Sequence, residues 1–267
     1  MPKVKVSDIE MYYEEKGSGD PLLITTGWAV GNRWWSGPNA GIFAENYRCF
    51  VQDHRGMGAS GAPDVSYTSK TMADDIAGLF DQLDLSGVRI MGHGGMGGII
   101  ALQLAINHPD KIRSIAVGAG SAKLDPFVRE LMLVWGELRK LDPVLWAREV
   151  HLWSVTTPWY NAHPESTQSA VANRIDNNPF MEPWAYDRTV EAYINHDVTD
   201  QLHLIKCPTM VTSGGPGDLI TGDRFARELV DGIQGAQFHL FEEGGHNYRG
   251  VYHEEYTRLL LEFFAKT

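Results

Sequence analysis

Short, almost wholly apolar runs alternate along this chain with stretches of helical periodicity, and that alternation constrains the fold more than any other feature. The runs lie at 21–27, 48–53, 88–92, 114–119, 209–214 and 237–241, after a first pair, "KVKV" and "EMYYEE", that reads as antiparallel. Strands apolar on both faces belong to parallel sheets covered by helices. Between most of them lie helical patterns such as 69–85, with apolar residues three and four apart. The expected class is therefore α/β, a mostly parallel central sheet with helices on both faces. The rhythm stops after Gly120 and resumes near Cys207, and the interval holds five of the eight tryptophans. The expected organisation is a core of residues 1–120 and 205–267 with a helical cap inserted at 121–204.

The densest local signal is Gly92-His93-Gly94-Gly95-Met96-Gly97, placed where a strand hands over to a helix. It matches G-x-G-x-x-G letter for letter, the pattern that cradles a dinucleotide pyrophosphate at a helix N-terminus. Two features count against a cofactor. The run follows a late strand, and no acidic residue ends the next strand, about 20 residues on, to hold a ribose. The plainer reading is that the glycines allow close helix–strand packing. The third reading is a catalytic elbow.

Other motifs favour the elbow. "VQDHRGMGASGAP" at 51–63 places D-x-R-G-x-G-x-S after a strand, Thr26-Gly27-Trp28 end an early strand, and Asp218 and His246 follow the last two strands. Together these resemble the α/β-hydrolase superfamily over nearly the whole chain, in particular its capped esterases, enol-lactonases and aminoacrylate hydrolases. The resemblance implies a nucleophile elbow, G-x-S-x-G, at the glycine run. Here the elbow is one residue too long and has no serine. Aligned from upstream the nucleophile falls at Gly94, and aligned from downstream at Gly95. The ungapped match of strand and Gly-His favours Gly94.

The resemblance also implies roles for other residues. His246 would be general base and Asp218 its orienter. Backbone amides of Trp28 and of Gly95, or of Met96 in the second register, would form the oxyanion hole. Trp34, Trp35, His93, Trp135, Trp153 and Trp159 are candidates to line the substrate pocket, with at least half of the cap tryptophans expected instead to pack the cap onto the main domain, while Arg55 belongs to a structural loop. No metal or cofactor is required. The expected activity is hydrolysis of a small to medium, partly apolar carbonyl compound: an ester, lactone, amide, carbamate or C–C bond. A missing nucleophile leaves three explanations: a dyad that activates water directly, a serine-to-glycine variant of an ordinary hydrolase, or a pocket that binds without chemistry. The extra residue speaks for natural divergence, since a simple substitution does not lengthen a loop. A cofactor-free lyase or oxygenase, with His246 abstracting a substrate proton, is the rival reading on the same fold.

Composition narrows the partners. A net charge of −11 without basic clusters argues against nucleic acid and anionic membranes. No run is long enough to span a bilayer, and the first residues alternate rather than form a signal core. Cys49 and Cys207 read as two thiols rather than a disulfide, which suits a reducing, cytoplasmic setting. The expected partner is a small-molecule substrate, and oligomeric state is open.

Overall fold

A computed structural model describes residues 2–28, 38–176 and 182–267. Its centre is an eight-stranded sheet in the order β1-β2-β4-β3-β5-β6-β7-β8. The strands are β1 (Lys3–Val6), β2 (Ile9–Lys16), β3 (Pro21–Thr25), β4 (Arg48–Gln52), β5 (Val88–His93), β6 (Ile112–Gly118), β7 (Thr209–Ser213) and β8 (Gln237–Leu240). β1 and β2 pair antiparallel, as does β2 with β4, and every later pairing is parallel. β5 is buried at every position, as a central parallel strand between two helical layers must be.

Side chains alternate between two cores. Leu23, Phe50 and Ile90 point into one, with α2 (Ser69–Gln82), α3 (Met96–Asn107) and α9 (Asp223–Gly232). Leu22, Ile24 and Met91 point into the other, against Phe43 of α1 (Pro38–Ala44) and Leu260 and Phe264 of α11 (His253–Ala265). The period of two in a strand thus supplies both helical layers from the same short runs.

Between β6 and β7 the chain makes α4 (Pro126–Leu141), α5 (Pro143–Ser154), α6 (Thr157–Ala162), α7 (Ser166–Asp176) and α8 (Pro183–Ile194), then a 3-10 helix, Thr199–Leu204. Their starts are written locally: Asp125 and Asp142 accept from backbone N–H groups of α4 and α5, with proline in the first turn of each. This is the stretch in which the strand rhythm lapses in the sequence.

Parallel strands bring their C-terminal ends to one edge, the usual site of chemistry in open α/β sheets. That edge carries Thr26-Gly27-Trp28 after β3, the 53–63 loop after β4, the glycine run after β5, Asp218 after β7 and His246 after β8. Arg55 braces it. Its guanidinium makes a bidentate pair with buried Asp75 of α2 at 2.6 and 2.8 Å and reaches Asp8 at 2.9 Å.

Candidate active site

Asp218 and His246 come from separate loops and meet. His246 Nδ1 lies 3.2 Å from Asp218 Oδ2 and 2.9 Å from Thr221 Oγ1, which itself donates to Asp218 Oδ2 at 3.2 Å. The other carboxylate oxygen accepts from the N–H groups of Ile220 and Thr221 at 3.0 and 2.9 Å. Burial alone would raise the Asp218 pKa, but adjacent His246 and these donors outweigh it and hold the carboxyl below its ordinary value. A fixed carboxylate on Nδ1 leaves Nε2 as the basic nitrogen. Sequence reasoning missed Thr221: a hydroxyl three residues past an aspartate carries no signal until the loop closes on the histidine.

The elbow is built of two left-handed glycines. Gly94 has φ +76° and Gly95 φ +69°, and α3 begins at Met96 with Gly95 as its N-cap. Gly95 (ψ −80°) centres a γ-turn, closed by Met96 N–H to Gly94 O at 2.8 Å. A Cβ on Gly94 would sit 3.0 Å from Gly27 Cα, against backbone. One on Gly95 would point at the hydroxyl of Tyr193, at 2.4 Å. The two registers thus differ in their surroundings: a side chain on Gly94 would meet backbone, and one on Gly95 the Tyr193 hydroxyl. The position that caps the helix and faces a functional group is Gly95.

Two of the amides expected in the oxyanion hole, those of Trp28 and Met96, are engaged within the protein. Trp28 N–H donates to Gly94 O at 3.2 Å, and Met96 N–H donates to the same oxygen. The extra residue in the elbow has turned its own carbonyl onto both amides, so neither is directed at a ligand. Gly27 permits this approach, since a Cβ there would lie 2.4 Å from Gly94 O. The other glycines serve packing. A Cβ on Gly92 would meet Gly97 O at 2.4 Å, one on Gly97 would meet Thr25 O at 2.4 Å, and one on Gly98 would meet Gly120 Cα at 2.7 Å. These close approaches are what the packing reading of the run requires.

The expected pocket residues scatter. Trp34 and Trp35 lie outside the described residues. His93 is buried and packs edge-on against Tyr248 and Tyr256, within the core on the α11 side. Its ring serves packing rather than a pocket wall. Trp135 is 3% exposed and stacks on Trp28, with centroids 6.1 Å apart, so it backs the β3 loop instead of facing a ligand. Trp153 bonds Glu149, leans on exposed Phe127 and packs, half-buried, against the main core. Trp159 is half-buried and stacks on His163. Tyr193, near the end of α8, is buried in the core and brings its hydroxyl against Gly95; nothing in the sequence singled it out.

No group of His, Cys, Asp and Glu side chains among the described residues is arranged to hold a metal ion, and none of the described helices is long and apolar enough to cross a membrane. Cys49 and Cys207 are free thiols.

A doubly covered parallel sheet with an acid and a histidine on its last two strand ends defines an α/β hydrolase. Residues 39–254 match the family model of the serine aminopeptidase S33 hydrolases, Hydrolase_4, and the chain belongs to that family within the α/β-hydrolase superfamily of enzymes. It is 26% identical over 98% of both chains to RutD of Azorhizobium caulinodans, a protein named for carbamate hydrolysis. Among solved structures, the esterase EaEST of Exiguobacterium antarcticum is 25% identical, with a TM-score of 0.86 over 99% of both chains. The enol-lactonase of Burkholderia xenovorans LB400 shares the fold at a TM-score of 0.85 and 22% identity, covering 99% of this chain and all of that one.

Proposed function

We propose that this hydrolase cleaves a small, partly apolar carbonyl compound, an ester, lactone or carbamate, by direct attack of water activated by His246. Asp218 and Thr221 fix the Nδ1–H tautomer, and Nε2 takes the proton of the attacking water. The same proton passes to the leaving oxygen or nitrogen as the tetrahedral intermediate collapses. The helices between β6 and β7 act as the cap over the reaction.

One observation carries this reading. The Asp218–Thr221–His246 arrangement is assembled and hydrogen-bonded, while both candidate nucleophile positions, 94 and 95, are glycine. A base with no side-chain nucleophile beside it has water as its natural partner. The names of RutD and EaEST add support for carbamate or ester cleavage.

Turnover of 4-nitrophenyl acetate and of aryl carbamates in ¹⁸O-water tests the reading. One ¹⁸O enters the acid product, and His246→Ala abolishes the activity. Acetate formed without ¹⁸O, with the label in 4-nitrophenol, would instead place the attack on the aryl carbon and contradict the reading.

A further inference from the structure

Two findings at the elbow leave a chemical gap. The developing charge on a substrate carbonyl needs hydrogen-bond donors, yet the Trp28 and Met96 amides both serve Gly94 O. The side of the elbow that a nucleophile's side chain would occupy is filled by a phenol, whose oxygen is 2.4 Å from a Cβ built on Gly95.

We propose that Tyr193 is a catalytic residue, its phenolic O–H replacing the displaced backbone amides as the donor to the substrate's carbonyl oxygen. The inference rests on the water-activation reading above. The water oxygen bonds to the carbonyl carbon while His246 Nε2 takes a water proton. The carbonyl π pair moves onto oxygen, where Tyr193 donates a hydrogen bond and keeps its proton. Collapse restores the carbonyl and expels the leaving group, which receives the proton from His246.

The phenol suits a donor and not a base. Burial pushes its pKa well above the ordinary tyrosine value, and the Asp218 carboxylate nearby pushes the same way, so it stays neutral at physiological pH. Its placement is rigid. Trp184 donates from Nε1 to Ala62 O at 3.1 Å, Arg188 pairs with Asp64 at 3.0 Å, and Ser66 bonds Glu191 at 3.0 Å. Beyond the helix, His196 Nδ1 bonds Ser69 Oγ at 2.8 Å. These ties fasten α8 to the core chain around residues 62–69, and a donor on a fixed element is preorganised for its target. Glycine at 95 then has a second reason beyond its positive φ, because any Cβ would displace the hydroxyl.

The test is a double-mutant cycle on 4-nitrophenyl acetate turnover, with His246→Ala as reference. Tyr193→Phe removes only the hydroxyl and lowers kcat about 100-fold or more, with KM and thermal midpoint nearly unchanged. Gly95→Ala lowers kcat in the wild-type background, and much less when Tyr193 is already Phe. Wild-type kcat in Tyr193→Phe, or an equal Gly95→Ala loss in both backgrounds, overturns the role of Tyr193. Full activity in His246→Ala overturns the underlying hydrolytic reading instead, so the two failures are distinguishable.

Discussion

Gly95 and Tyr193 fit together as cavity and plug: the tyrosine hydroxyl lies 2.4 Å from the point where a Cβ on the glycine would stand. The relationship orders the remaining features of the site. A side chain at position 95 must therefore displace the Tyr193 hydroxyl.

Restoring serine therefore has different outcomes at the two positions. Gly94→Ser aims its side chain at Gly27 and gives no reaction with a fluorophosphonate probe. Gly95→Ser reacts only when room is made by Tyr193→Ala, at a stability cost of about 1–2 kcal/mol for a left-handed non-glycine residue. Labelling of Gly94→Ser alone would reverse the register.

The dyad predicts graded losses. Asp218→Asn removes the charge that stabilises the imidazolium and selects its tautomer, and lowers kcat by about 10²–10⁴-fold. Thr221→Val removes the hydroxyl that bonds both His246 Nδ1 and Asp218 Oδ2, about 1–1.5 kcal/mol for each bond, and lowers kcat about 10-fold or more. Steady-state rates at saturating substrate measure both.

Much of this site was legible in the sequence, and the reason is local. Apolar runs, post-strand loops and the order Asp218 then His246 are properties of consecutive residues, and the fold follows them nearly residue for residue. The elbow was not legible to the same depth. One inserted residue can be placed on either side of the nucleophile position, because the turn at 94–95 depends on φ, ψ and the Met96–Gly94 hydrogen bond rather than on residue type. Tyr193 and Thr221 depend on loops and helices distant in sequence arriving at one place. Tryptophan richness in a helical segment does not say what each ring meets: Trp135 packs into the main core, against Trp28, and Trp153 packs against that core.

Acid destabilises the protein through histidines kept neutral by burial. Burial lowers the pKa of His54 from 6.5 to about 4, partly countered by its bond to Thr26 O, and burial lowers that of His196 likewise to about 4. Below pH 6.5 the unfolded chain takes up protons that the folded chain refuses. Stability is thus full above that pH and falls progressively until about pH 4, by about 3 kcal/mol for a fully buried group such as His54. Thermal midpoints between pH 7 and 4 follow that fall, and His54→Gln, whose amide still donates to Thr26 O, flattens it.

Intact-mass analysis of the enzyme, quenched during turnover of 4-nitrophenyl acetate, separates direct attack by water from covalent catalysis. Direct attack by water predicts a chain of unmodified mass at every time and no burst of 4-nitrophenol. An acetylated chain that forms and decays at the rate of turnover would show a covalent intermediate and contradict the account.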